Sequence, residues 1–296
     1  MSTCIENSTA MSNETIKTLM VDMTTAHIVW ASLSGLTAIL HMIGVVLLWL
    51  LKSELNQILI LINLAVAEMM LYLNLATLSI FTASQIPYMS LTMLFFLAIR
   101  MLMVILVGDR FVEIFLNIKY PMIITRERVS RLIILIWITS SVYGLSFGLF
   151  TVFGDTKSGM NTSFYIHNYI TVTIDAVFTI CAIITYSYFY MKIRKIAIKD
   201  HSQRPNRTLK CGRNFNYKIP FLIVATYLAF NVTSTALFQL RHYEHVPETR
   251  DLLLNLAKFF QIAGSISDAF IYIGLQENVI NFFKRKIMTR KHNQSR

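Results

Sequence analysis

Cysteine is scarce: Cys4, Cys181 and Cys211 are the only three in 296 residues. They fall in a polar first tail, an apolar run and a basic loop. No two share a compartment, so no internal disulfide is expected. The seven histidines show no His-x-x-x-His spacing and no cysteine partner, so no metal site is expected. No glycine-rich phosphate loop occurs, and no Ser/His/Asp set has an evident geometry. An enzymatic reading therefore has no positive support, and no cofactor is implied. Acidic residues are also few, 16 against 27 Lys and Arg, leaving a net charge of +11. Such a charge raises nucleic-acid binding. However, the basic residues sit in short gaps between apolar runs, not on one soluble face. A membrane topology with attraction to anionic lipid accounts for them better. There is no internal repeat of the kind that marks secondary transporters. The apolar runs lack the strict alternation that barrel strands need.

What is present is apolar sequence: 55% of the chain is hydrophobic, more than ordinary soluble domains carry. A helix needs about 20 apolar residues to cross a bilayer. Spans are placed at roughly 26–51, 56–82, 88–110, 130–153, 166–193, 218–240 and 252–275. Backbone facing lipid must bond internally, so these are helices. The fold class predicted is an all-α membrane protein: a seven-transmembrane helix bundle followed by a short amphipathic cytoplasmic helix. Residues 1–25 form an outer tail, 26–275 the bundle, and 276–296 the amphipathic helix and basic tail. The polar first two dozen residues and the long first run read as a signal anchor, not a cleaved peptide.

Charge sets the orientation. Lys52, then Lys119, Arg126, Arg128 and Arg131, then the run from Lys192 to Lys218, and finally the C-terminal tail occupy alternate gaps. The opposite gaps hold only Lys157, Arg241 and Arg250, and the first tail Lys17. Cations translocate poorly, so the N-terminus is expected outside and the C-terminus in the cytosol. The sequons at Asn7, Asn13 and Asn161 fall on the outer side and are predicted glycosylation sites. Those at Asn206 and Asn293 lie on the cytosolic side, and Asn231 lies inside a span. The inner loop at about 195–217 is polar and basic with one Pro and one Gly, and is expected to be mobile. Beyond it, Val279, Phe282, Phe283 and Ile287 share a helical face flanked by Lys284, Arg285 and Lys286, which suits an inner-leaflet helix.

Several residues sharpen the reading. Asp109-Arg110-Phe111 stands at the inner end of the third span. It resembles the Asp-Arg-Tyr motif of the rhodopsin-like (class A) family of G-protein-coupled receptors, with Phe for Tyr. Trp137, 27 residues later than Arg110, is similar to the fourth-helix tryptophan of that family. Asn63-Leu-Ala-Val-Ala-Glu68 resembles its second-helix Asn-Leu-Ala-x-Ala-Asp. Asp268-Ala-Phe-Ile-Tyr272 resembles Asn/Asp-Pro-x-x-Tyr with the proline lost, and Tyr186 matches the inner tyrosine of the fifth helix. The matches occur in order and span the chain. The resemblance implies a plasma-membrane receptor that binds an extracellular ligand of unknown type and engages a heterotrimeric G-protein. Asp109, Arg110, Phe111, Tyr186, Asp268 and Tyr272 would then serve coupling and activation. In that role Arg110 pairs with Asp109 at rest. Without the resemblance, Arg110 reads as a cation snorkelling at the inner interface.

The departures bear on function. Gln85 stands where the family has its third-helix cysteine, about Phe178 where it has the fifth-helix proline, and Phe230-Asn231-Val232-Thr233 where it has Cys-Trp-x-Pro. His41 falls near the place of the first-helix Asn. Losing the prolines removes built-in kinks, which puts a sixth-helix swing hinged there in doubt. The pattern suggests a divergent, orphan member.

Charges inside a bilayer are costly and point to function. Glu68, Arg100, Asp175, Lys258 and Asp268 all lie within spans. Asn63, Glu68 and Arg100 are assigned to an intramembrane polar network in which Glu68 pairs with Arg100. That pairing would exclude modulation by sodium. Thr92, Asp175, Lys258 and Gln261 are assigned to a ligand pocket, with Lys258 equally able to snorkel to the outer surface. Thr92 occupies the position where amine receptors of the family carry Asp, and Ile262 the retinal-attachment position, so neither an amine receptor of that mode nor an opsin is expected. Two other classes stay open: a receptor-fold decoy or partner protein that does not signal, and a transporter or channel.

Overall fold

The structure, a computed structural model, describes residues 3–50, 56–80, 85–116, 120–153, 156–203, 218–243 and 246–274. The inner loop beyond Gln203, with Cys211, and the amphipathic segment at 276–296 lie outside the described residues, as does the side chain of Cys4. The elements are α1 (Thr3–Leu50), α2 (Asn56–Ile80), α3 (Gln85–Leu116), the single turn α4 (Tyr120–Ile123), α5 (Arg126–Phe153), α6 (Thr156–Gln203), α7 (Lys218–Thr226), a π-helical segment (Tyr227–Val232), α8 (Thr233–Tyr243) and α9 (Pro247–Gly274). α7, the π segment and α8 run on as one span. Strand is absent among the described residues.

Six helical stretches are long and apolar enough to cross a membrane: His27–Leu50, Ile58–Ser79, Ile86–Glu113, Arg126–Phe153, Tyr165–Tyr188 and Phe221–Arg241. They coincide with the first six predicted spans. α9 forms where the seventh is expected but falls short of that set, because Asn255, Lys258, Gln261, Ser265, Ser267 and Asp268 dilute its apolar residues.

Two helices run past their predicted ends. α1 begins at Thr3, within the segment read as a polar tail. α6 continues to Gln203, into the loop expected to be mobile from about residue 195. Once a helix is nucleated, each added residue gains a hydrogen bond, so polar extensions propagate cheaply. Local chemistry fixes other ends. The Thr125 hydroxyl accepts from the Arg128 N–H at the start of α5. Pro247 opens α9, where its missing N–H is not needed, and Glu248 follows it in the first turn.

The helices form a ring: α1 packs on α2, α2 on α3, α3 on α5, α5 on α6, α6 on α8, α8 on α9, and α9 back on α1. α3 also meets α6 and α7, so it sits centrally. The core reflects this, with Leu64, Leu71 and Tyr72 from α2, Leu102 and Leu106 from α3, Phe178 from α6, Ile223 from α7 and Tyr272 from α9. Outward faces are apolar. Trp49, Ile138, Leu145, Phe150 and Ile180 are all exposed. A soluble monomer does not show so much apolar surface; a bundle wrapped in lipid does.

Glycine permits the closest helix approach. A Cβ on Gly144 of α5 would stand 2.7 Å from the Ser90 carbonyl oxygen and 2.8 Å from Leu94 Cβ of α3. Nothing larger than hydrogen fits without displacing backbone.

Candidate functional site

Several polar clusters lie between the helices among the described residues. The first is at the inner end of α3. Asp109 Oδ2 accepts from Arg110 Nη2 at 2.7 Å, and Asp109 Oδ1 accepts from the Tyr120 hydroxyl at 2.6 Å. Glu113 takes Arg110 Nη1. Asp109 and Arg110 are both buried. The expected pairing of Arg110 with Asp109 is present, and Glu113 and Tyr120 extend it. Phe111 points outward, stacked on Phe115 with ring centroids 5.9 Å apart. The Tyr186 ring packs on Phe221 at 5.2 Å, within electrostatic reach of Arg110, and its buried hydroxyl has no hydrogen-bond partner.

The second cluster joins α1, α2 and α9. His41 Nε2 lies 2.7 Å from Ser265 Oγ, and His41 Nδ1 lies 3.2 Å from Glu68 Oε2. The latter contact is ion-pair close without the alignment of a hydrogen bond. Asp268 is within electrostatic reach of Glu68 and accepts a hydrogen bond from the Thr226 hydroxyl. Tyr272 sets its ring edge-on to His41 at 5.9 Å and leaves its buried hydroxyl unbonded. His41, Glu68 and Ser265 are 0%, 4% and 3% exposed. Ser, His and carboxylate stand in the order of a hydrolytic triad, but the site is sealed. The N–H groups near Ser265 lie mid-helix, where helical carbonyls occupy them, so none is free to hold an oxyanion.

The third cluster corrects the predicted Glu68–Arg100 pair. Arg100 Nε donates instead to Asp175 Oδ1 at 3.1 Å, and Glu68 faces His41. The helix positions fix depth, but α3 turns Arg100 toward α6 and α8, away from α2. Arg100 also donates to the Thr235 hydroxyl at 3.3 Å and to the Phe96 carbonyl at 3.4 Å, and its guanidinium lies 5.5 Å from the Phe96 ring centroid. Asp175 accepts further from the Tyr227 hydroxyl at 2.7 Å and the Thr235 hydroxyl at 2.9 Å. With the Glu68–Arg100 pair gone, the sodium expectation built on it falls too.

The fourth cluster ties α2 to α5. Trp137 Nε1 donates to Asn63 Oδ1 at 3.1 Å, and Asn63 Nδ2 donates to the Leu59 carbonyl at 2.9 Å. Asn63 therefore belongs to this contact and not to a network with Arg100.

The four pocket residues are not brought together. Thr92 accepts from Asn74 Nδ2 at 2.8 Å and donates to the Tyr88 carbonyl. Asp175 holds Arg100. Lys258 lies exposed on α9, its Nζ 5.7 Å from the Trp30 ring centroid. The Gln261 carbonyl accepts from the Tyr72 hydroxyl at 3.0 Å. No hydrogen bond or ion pair joins any two of the four among the described residues. Asn7, Asn13 and Asn161 lie within the backbone of α1 and α6, and their side chains are outside the described residues.

Sequence reasoning missed Ser265, Glu113, Tyr120, Tyr227 and Thr235. Tyr227 and Thr235 had a readable signal: polar side chains in the sixth span at the depth of Arg100 need a partner. No protein-family model matches the chain, and no curated protein is similar to it.

Proposed function

We propose that this chain is a seven-span receptor of the rhodopsin-like kind, with its N-terminus outside and its C-terminus in the cytosol of a plasma-membrane protein. It binds an extracellular ligand between its outer helix halves and passes the signal to a heterotrimeric G-protein. A ligand acts by binding the active arrangement better than the resting one.

α9 serves as the seventh crossing. Its 28 residues reach about 42 Å at the helical rise. Ser265 and Asp268 turn inward, to His41 and Thr226, and the Gln261 backbone carbonyl accepts from Tyr72. Its exposed side carries Leu252, Phe259 and Phe270. The half of α9 that follows Phe259 thus keeps Ser265 and Asp268 off the lipid, while Asn255 and Lys258 stay exposed nearer its start.

The observation that carries the reading is Arg110 held shut between Asp109 and Glu113, with the idle Tyr186 hydroxyl nearby. A buried hydroxyl without a partner costs about 1–3 kcal/mol. Such a group gains a partner if the inner ends rearrange and free Arg110. The test is nucleotide exchange on a G-protein panel by the chain in lipid discs. Arg110→Ala is expected to reach the cell surface and to lose exchange; normal exchange would refute the assignment. Substrate or ion flux in liposomes without exchange would favour a transporter. Normal expression with neither would favour a silent receptor-fold partner.

A further inference from the structure

The π segment occupies the stretch of the sixth span where proline is missing. A π turn bonds i to i+5 and carries one residue more than the α turn it replaces. Asp175 grips the span on both sides of that turn. Tyr227 is its first residue, and Thr235 lies just past its end. Both hydroxyls reach the same carboxylate.

The spacing explains why the turn is there. In an α-helix each residue advances about 100°, so positions eight apart lie about 80° past two full turns. With one residue absorbed by the π turn, the spacing counts as seven, which ends about 20° short of two turns. Only then do Tyr227 and Thr235 share a face toward Asp175. The opposite side of the turn is seated on α9. A Cβ on Gly264 would stand 2.7 Å from Phe230 Cβ, so glycine makes the seat.

The two halves of the span are anchored separately to α9. Below the turn, the Thr226 hydroxyl donates to Asp268; above it, the Ser234 hydroxyl donates to the Ala257 carbonyl at 2.8 Å. The Thr235 hydroxyl has a second acceptor, the Asn231 carbonyl at 3.0 Å inside the π segment. Its single proton serves one acceptor at a time. Loss of Asp175 sends that proton to the span's own backbone.

We propose that the Tyr227–Val232 turn is a two-register switch held by the Arg100–Asp175 ion pair. With the pair intact, the sixth span keeps its extra residue in the π turn. With the pair broken, the segment reverts to α-helix and its inner half turns by about 100° against its outer half. The switch itself is independent of the receptor reading; only its effect on signalling rests on that reading.

The test uses the full chain in lipid discs with Cys4, Cys181 and Cys211 replaced by serine. Single spin labels are placed at 221, 222, 223, 224 and 225, and their access to oxygen in the lipid is measured. With Asp175 present, position 221 is expected to be lipid-exposed, and 223 and 224 buried, as they are here. In Asp175→Asn, and equally in Arg100→Gln should the first variant fold poorly, the exposed position is expected to move by one residue. Deleting Ala229 shortens the spacing to a true seven and removes the π turn while keeping the clamp. That deletion should keep the original pattern and make it insensitive to Asp175→Asn. An unchanged pattern in both folded ion-pair variants overturns the proposal, as does a shift that persists in the deletion. A shift without any change in G-protein nucleotide exchange leaves the switch standing and counts against the receptor reading.

Discussion

Arg100 and Asp175, 75 residues apart in sequence, meet at 3.1 Å between the third and fifth helices of the ring. The pair is nearly sealed, with side chains 11% and 5% exposed. Removing one partner leaves an uncompensated charge, which costs about 3–5 kcal/mol. Asp175→Leu should therefore lower the unfolding midpoint strongly in detergent. Arg100→Met combined with Asp175→Leu should recover much of the loss. A double variant no better than the single would show that the charges are not coupled.

Gly144 and Gly108 should behave in opposite ways. Alanine at 144 meets the Ser90 carbonyl oxygen and Leu94 and must push α5 from α3, at about 1–3 kcal/mol. At Gly108 an added Cβ meets nothing within 4 Å. There the substitution should be neutral or stabilise by up to about 1 kcal/mol through helix propensity. Thermal unfolding of the two alanine variants checks the contrast, and equal effects would contradict the packing described.

Trp137→Phe keeps an aromatic ring against Phe95 but deletes the donor to Asn63. A loss of about 1 kcal/mol is expected from one hydrogen bond. In an Asn63→Leu background the same change should cost less, because its partner is already gone. A double-mutant cycle in detergent reads the coupling.

His41→Leu should cost more than its size suggests. It removes the ring nitrogen bonded to the buried Ser265 Oγ and the one that stands 3.2 Å from the buried Glu68 Oε2. The hydrogen bond lost at Ser265 Oγ alone costs about 1–3 kcal/mol where the hydroxyl is left unsatisfied. Combining the change with Ser265→Ala and Glu68→Gln should return part of the stability. No recovery in the triple variant would argue that the cluster packs without bonding.

Depth was legible in the sequence, and direction was not. Hydropathy located six apolar crossing stretches within a few residues, because crossing length and composition are one-dimensional properties, but not how far α1 and α6 run past them. Arg100 could be placed at mid-membrane from its distance to Arg110. Its choice of Asp175 over Glu68 depends on which way α3 faces, and that is set by packing across the whole ring. The pairings Arg110–Asp109 and Asn63–Trp137 involve residues that the family resemblance singled out. The π turn was invisible because no proline or glycine marks it; only the shared reach of Tyr227 and Thr235 to one carboxylate reveals it. α9 illustrates the same limit. Its polar residues lower its average, and only the packed bundle shows Ser265 and Asp268 turned inward.

The most direct measurement is the sidedness of the two chain ends. Epitope tags at the N- and C-termini are probed with antibodies on intact and permeabilised cells. Seven crossings predict that the N-terminal tag is labelled on intact cells and the C-terminal tag only after permeabilisation. Labelling of both ends on the same side would mean that α9 does not cross, and the receptor reading would fall with it.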